Sequence, residues 1–175
     1  PGITHNINGV ADGNTLAGTS TLYLTAVDPL SGVAGSSFRF DDQPFSRYAG
    51  NKLDLTSLED GPHSMEYFAE DHVGNKSQTY KFDFYYDKLA PLTASDIIGD
   101  KFLYLDKVYF SGRTKMKLTA IDNKIGVKEI KYSIDNGNFL TYEEPFYLPS
   151  VQGNHSIKFY SVDRLSNQPS GAEEY

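Results

Sequence analysis

"LEDGPHSMEYFAEDHVGN", Leu58 to Asn75, holds two histidines, three glutamates, two aspartates and an asparagine within eighteen residues. It reads either as a metal or acid–base site, or as a β-strand with a turn at each end. As a strand from His63, one face carries His63, Met65, Tyr67 and Ala69, and the other carries Glu66, Phe68 and Glu70. The chain contains its own control. "GNHSIKFYSVDRLSN" (Gly153–Asn167) lies over "GPHSMEYFAEDHVGN" (Gly61–Asn75), 92 residues on. There the inward set is His155, Ile157, Phe159 and Ser161, against Lys158, Tyr160 and Val162. Glu66 has become Lys158, Glu70 has become Val162 and His72 has become Arg164. The acids of a chemical site are not kept, whereas the apolar face is, so the strand is the better reading.

The correspondence extends through most of each half. "LTAVD" (Leu24–Asp28) returns as "LTAID" (Leu118–Asp122), and "FRFDDQPFSRY" (Phe38–Tyr48) as "YSIDNGNFLTY" (Tyr132–Tyr142), each 94 residues on. Such a period is too long for a solenoid and suits a whole small domain. The boundary falls at "DKLAP" (Asp87–Pro91), where Pro91 suits a short, stiff linker, so domains 1–88 and 89–175 are expected. Period-two alternation recurs at Leu22–Val27, Lys115–Ala120 and Tyr80–Asp87, and no stretch reads as a helix. Turn residues separate the runs, as in "DPLSGV", "DDQP" and "DNGN". About seven short strands per half predict an all-β chain of two tandem Ig-like, fibronectin type III-like antiparallel β-sandwiches. The expected core is Leu22, Leu24, Phe38, Phe40, Met65, Tyr67, Phe82 and Phe84 in the first half. In the second it is Met116, Leu118, Ile130, Tyr132, Ile134, Ile157 and Phe159.

The quoted stretch resembles the sixth-strand signature of bacterial Ig-like and fibronectin type III-like modules, in which a turn leads into a strand ending "A-x-D-x-x-G-N". The second half, "LTAIDNKIGVKEIKYSIDNGNFLTYEEPFYL" (Leu118–Leu148) with Gly153–Asn167, is similar to the OmpL47-type domain family. The resemblance implies non-catalytic accessory modules of exported bacterial surface proteins or glycoside-active enzymes. It also implies an extracellular, cell-surface or periplasmic location. His63 and His155 stand where relatives often carry a corner tyrosine that bonds back to the backbone upstream, and one ring nitrogen can do the same. Pro145 and Phe146 have no counterpart around Asn51–Leu53, and the last strand is thin, since "QPSGAEEY" ends where the first copy is still in "KFDFYYD". That tail reads as an excision boundary or a frayed edge. The start at Pro1 reads as a piece of a longer protein.

Composition narrows the function classes. With 39% hydrophobic residues in 175 the chain can bury a core, and 14% aromatics, all of them Tyr and Phe, favour pleated surfaces. A net charge of −7 argues against nucleic acid. The absence of cysteine removes disulfides, zinc-thiolate sites and thiol nucleophiles. No apolar run reaches the roughly 20 residues that span a bilayer, so no membrane insertion is expected. No GxSxG, HExxH or P-loop occurs, and the neighbouring acids Asp41-Asp42 and Glu143-Glu144 do not face each other across a cleft. No catalytic residue and no enzyme activity are expected.

Three candidate sites remain. Asp28, Asp71 and Asp87, with Asp122 and Asp163 repeating the first two, could converge at a domain end and bind calcium, although capping of turns is the plainer role. Tyr23, Phe68, Tyr85 and Tyr160 could form a flat sugar-stacking platform, although packing against a neighbouring strand or loop is commoner. Arg113, Lys115 and Lys117, on one outer strand face, could meet an acidic polymer, although a solvated strand face is the default. The expected partners are other domains of the same longer protein and possible host or cell-wall glycans or proteins, with the chain itself monomeric.

Overall fold

A computed structural model describes all residues from Pro1 to Tyr175. The chain is all-β and divides into two compact units, Pro1–Lys88 and Leu89–Tyr175.

Unit 1 contains β1 (Gly2–Asn8), β2 (Ala11–Asp12), β3 (Thr15–Ala17), β4 (Thr21–Val27), β5 (Val33–Phe40), β6 (Ser46–Arg47), β7 (Gly61–Asp71) and β8 (Tyr80–Asp87). One sheet pairs β1 with β4, and the other runs β2-β3-β8-β7-β5-β6. The chain changes sheets at Gly9. A Cβ there would stand 2.8 Å from the Ser20 Cα, so only glycine permits that approach. Beyond the crossing, β3 runs alongside β8 in the same direction, with Leu16 opposite Tyr86. This one parallel pair corrects the expectation of a wholly antiparallel sandwich. It follows from a first strand shared between two sheets.

The inner faces of both sheets meet in one core: Ile3, Leu16, Leu22, Leu24, Leu53, Leu55, Met65, Tyr67, Ala69, Phe82, Phe84 and Tyr86. Phe38 and Phe40 pack against it half-buried. Alternation along β7 holds to its end, with Met65, Tyr67, Ala69 and Asp71 buried and Glu66, Phe68 and Glu70 between them half-exposed.

Unit 2 contains β9 (Leu92–Ile98), β10 (Lys101–Tyr104), β11 (Lys107–Phe110), β12 (Lys115–Ile121), β13 (Val127–Ile134), β14 (Leu140–Thr141), β15 (Phe146–Tyr147), β16 (Ile157–Asp163) and β17 (Glu173–Glu174). Its sheets are β15-β12-β9 and β14-β13-β16-β17, with β10–β11 as a separate hairpin. Met116, Leu118, Leu148, Ile157 and Phe159 form the core, flanked by Ile130, Tyr132, Ile134 and Phe146. Each unit is thus an Ig-like β-sandwich built from the alternating residues of its strands.

Two expectations need correction. Phe146 does have a counterpart. It pairs with Met116, as Leu53 bridges Leu22, so a leucine does in unit 1 what Pro-Phe does in unit 2. Val162 does not point outward but is buried. It lies opposite a bulge where the register steps from Val127 to Glu129.

Candidate functional site

Acidic and imidazole side chains gather at two places in each unit. The first is built on the β5–β7 pairing. Asp41 follows β5 in the left-handed conformation (φ 50°), which Asp tolerates better than most residues. Its backbone N–H donates to the Ser64 carbonyl at 2.8 Å, and its Oδ1 accepts the Ser64 N–H at 2.9 Å. Oδ2 meets His63 Nδ1 at 2.8 Å. The other ring nitrogen, Nε2, lies 2.9 Å from the Glu59 carbonyl. Unit 2 repeats every contact. Asp135 (φ 52°) bonds the Ser156 carbonyl at 2.8 Å and accepts the Ser156 N–H at 3.0 Å. His155 Nδ1 stands 2.7 Å from Asp135 Oδ2, and its Nε2 stands 2.8 Å from the Val151 carbonyl.

A carboxylate and a carbonyl both only accept, so an imidazole fills both positions as a double donor only when protonated. The hydrogen bond to Asp135, with that to the Val151 carbonyl, raises the pKa of His155. The His155 bond and the Ser156 N–H hold Asp135 below the usual carboxylate range. Burial works upward on Asp41, but the bonds from His63 and Ser64 outweigh it and its pKa is lowered too. A His–Asp couple is also the base-and-orienter half of a hydrolytic triad. Here Nε2, the atom that would take a proton from a nucleophile, is committed to a main-chain carbonyl. The couple ties a turn to a strand entry. The sequence placed the histidine's upstream bond but missed the aspartate. The signal was available, since Asp41 and Asp135 head the aligned "DDQP" and "DNGN" turns.

The second place is the far end of β7 and β16. Asp28 Oδ1 accepts the backbone N–H groups of Leu30, Ser31 and Gly32. Asp71 accepts from Val73 N, Asn75 N and Asn75 Nδ2 at 2.8–3.0 Å. Burial pushes Asp71 up, but these bonds and the Ser31 hydroxyl hold it down. In unit 2, Asp122 Oδ2 accepts from Lys124 and Gly126, and Asp163 accepts twice from Asn167 at 2.7 Å.

The expected convergence of three aspartates does not occur. Asp28 and Asp71 share an end through Ser31. Asp87 is buried at the opposite end, where β8 pairs with Gly61, ten residues and so about 33 Å along β7 from Asp71. No group of three or more His, Asp or Glu side chains is arranged around a common point.

The aromatic platform also dissolves. Tyr23 lies on β4, in the sheet opposite Phe68 and Tyr85, and Tyr160 lies in unit 2. Tyr85 donates to Asp60 at 3.3 Å. Phe68 takes Phe45 edge-on, with ring centroids 5.2 Å apart, and Lys76 stands over its face at 5.3 Å. Tyr160 takes Phe139 edge-on at 5.0 Å. Phe45 and Phe139 occupy the same position of the two aligned segments, so these covers were visible in the sequence. Of the cations, Lys115 lies 4.5 Å over the Tyr147 ring. Lys117 is exposed on β12. Arg113 is not on the strand but in the turn before it, where its N–H bonds Ser111 Oγ.

No family model matches the sequence, and no curated protein matches it. Among solved structures, a chain described as the fibronectin(III)-like modules of Clostridium thermocellum CbhA matches with a TM-score of 0.49 and 14% identity. The match covers 98% of this chain and 91% of that one.

Proposed function

We propose that the chain is a non-catalytic spacer or presentation module of a secreted or cell-surface bacterial protein, holding apart the domains of a longer polypeptide. The observation that supports this reading is the fate of the polar side chains. Both imidazole–carboxylate couples and the aspartates at the β7 and β16 ends bond main-chain groups of their own unit. What looks like chemistry in the sequence serves to fasten turns, which makes each sandwich a stiff body. Fold alone does not choose a function, so the mechanical role needs a mechanical test. Pulled from its two ends, the chain should give two unfolding events, each releasing about 300 Å of polypeptide. A single event, or gradual extension at low force, contradicts the reading.

A second reading, an adhesion or carbohydrate-binding accessory module of an extracellular protein, is favoured by one observation. The β10–β11 hairpin exposes Phe102, Leu103, Tyr104, Leu105 and Tyr109, the kind of apolar surface that marks interaction sites. A glycan array separates the two readings. Saturable binding lost in Phe102→Ser with Tyr104→Ser supports adhesion, and a blank array supports the spacer.

A further inference from the structure

The hairpin before β4 in unit 1 and its counterpart before β12 in unit 2 have diverged. Gly9 approaches the Ser20 backbone as Gly99 approaches that of Thr114, so the two glycines mark the same crossing. From there to Gly18 unit 1 takes eight residues, and to Gly112 unit 2 takes twelve. The register places the increase at the tip. Ala11–Leu16 and Asp12–Thr15 in unit 1 correspond to Lys101–Phe110 and Phe102–Tyr109, and unit 2 adds Leu103–Val108 and Tyr104–Lys107. β3 meets β8 no further out than Thr15, so the added pairs stand beyond that neighbour's reach.

The addition is apolar. Phe102, Leu103, Tyr104, Leu105 and Val108 are 49–77% exposed. Leu105 opens the tip turn at φ 46°, left-handed backbone that costs a leucine and suits the Gly13 of unit 1. An exposed leucine kept there does nothing for the fold. β10 pairs only with β11, so its outer edge leaves main-chain N–H and C=O groups open. In unit 1 the same edge is blunted, since β2 is two residues long and ends in Asp12. From Phe102 to Leu105 there is neither a charge nor a proline. The ribbon as a whole is neutral, with Asp100 and Asp106 against Lys101 and Lys107, in a chain of net charge −7.

We propose that β10 pairs edge to edge and antiparallel with β10 of a second copy, about a two-fold axis at Leu103. Such an interface is isologous, and β10 is its own complement. Leu103 faces Leu103 of the other copy, and Phe102 faces its Tyr104. Cross-strand neighbours share a face. One face of the four-stranded sheet therefore carries the row Val108-Leu103-Leu103-Val108. The other carries Tyr109-Phe102-Tyr104-Lys107 twice, once in each direction. Copies that repel each other elsewhere meet here through neutral ribbons. A lipid core would leave the open edges unsatisfied and take in Asp106, and a sugar would make no use of Leu103, Leu105 and Val108. The ribbon is far smaller than the roughly 20–30 residues a side of a standard interface, so the pairing is weak and concentration-dependent. It departs from the expected monomer and depends on neither functional reading.

Sedimentation equilibrium of the full chain, from low-micromolar to millimolar concentration, tests this. The mass should rise from 19.5 kDa towards twice that value. Leu103→Lys sets two ammonium groups against each other at the axis and should hold the mass at 19.5 kDa throughout. Leu103 is exposed, so the melting temperature of unit 2 should not change in that variant. The chain has no cysteine, so Leu103→Cys reports on the axis alone. Under mild oxidation it should form a disulfide-linked dimer at least roughly tenfold faster than Leu105→Cys or Val108→Cys, which lie off the axis. A mass that stays at 19.5 kDa to millimolar concentration, undiminished association of Leu103→Lys, or equal cross-linking of the three cysteine variants overturns the proposal. A chain that stays monomeric but floats with phosphatidylglycerol vesicles or binds a glycan array also overturns it, and gives the ribbon to that partner instead.

Discussion

Unit 1 closes its core with a full-length β8, whereas unit 2 pairs β16 with two residues of β17 and one more. Twelve side chains form the buried cluster of unit 1 and five that of unit 2. The same clamps fasten the turns in both, so the difference isolates what the last strand contributes. It brings Phe84 and Tyr86 inward and seats Leu16 against them. A second contrast lies at the sheet-to-sheet contact. Ile3 and Ala69 in unit 1 are replaced by Thr93 and Ser161, whose hydroxyls bond at 2.7 Å. A satisfied hydroxyl pair there serves where an apolar pair would, at little net cost. The units share a skeleton and differ in how well it is filled, and unit 2 should be the weaker.

The comparison can be broken most forcefully from inside each core. Leu22→Asp should abolish the unfolding transition of unit 1 and leave that of unit 2, and Met116→Asp should do the reverse. Both side chains are fully buried, and an unpaired charge in such a place is not tolerated. Differential scanning calorimetry of the full chain reads both transitions. Loss of both transitions in either variant would mean that the units do not fold separately.

Next in size, Phe84→Ala should cost unit 1 about 3–5 kcal/mol, measured by denaturant unfolding, and bring it towards unit 2. A loss under about 1 kcal/mol would mean that the last strand does not close the core.

The clamps come third. His63→Ala should destabilise unit 1 by about 1–3 kcal/mol, since two hydrogen bonds go and a carboxylate loses its partner. In unit 2 the same device should show in pH. The folded-state pKa of His155 is raised, so its contribution is complete below the unfolded value of about 6.5 and fades as pH climbs through the raised value. Asp135 is lowered, so its contribution is present above about 3.9 and fades as pH falls through its folded value. The melting temperature of unit 2 should therefore decline as pH rises from about 6.5 through the raised value, and His155→Gln should remove that slope.

The smallest effect sits in a turn. Gly74 and Ser166 hold the same left-handed position, at φ 88° and 69°. Ser166→Gly should stabilise unit 2 by roughly 0.4–1 kcal/mol, and Gly74→Ser should weaken unit 1 by a similar amount. Chemical denaturation of each variant decides it.

Most of the fold was legible because period-two alternation is a local signal, and because the chain repeats it. Met65, Tyr67, Ile157 and Phe159 lie where the alternation puts them. Leu16, Leu53 and Leu55 were not found, although all three are buried. They sit on a short strand or in irregular segments, where burial depends on the sheet crossing and not on a period. The aspartate clamps were half legible. The His63 carbonyl bond follows from a corner residue, but its partner Asp41 arrives through strand pairing over 22 residues, which alternation along one strand does not carry and only the repeated aspartate at the head of both turns hints at. Convergence of Asp28, Asp71 and Asp87 failed for the same reason, because strand direction decides which end each occupies.

Amide hydrogen exchange on the full chain tests the central comparison most directly. Unit 1 should protect the amides of β7 from Gly61 to Asp71, Pro62 having none. Protection in unit 2 should begin only at Ile157, with Gly153–His155 exchanging freely and the slowest amides of unit 2 opening at lower free energy than those of unit 1. Equal protection of the Gly153–His155 and Gly61–His63 segments, or a unit 2 as resistant as unit 1, would contradict the account.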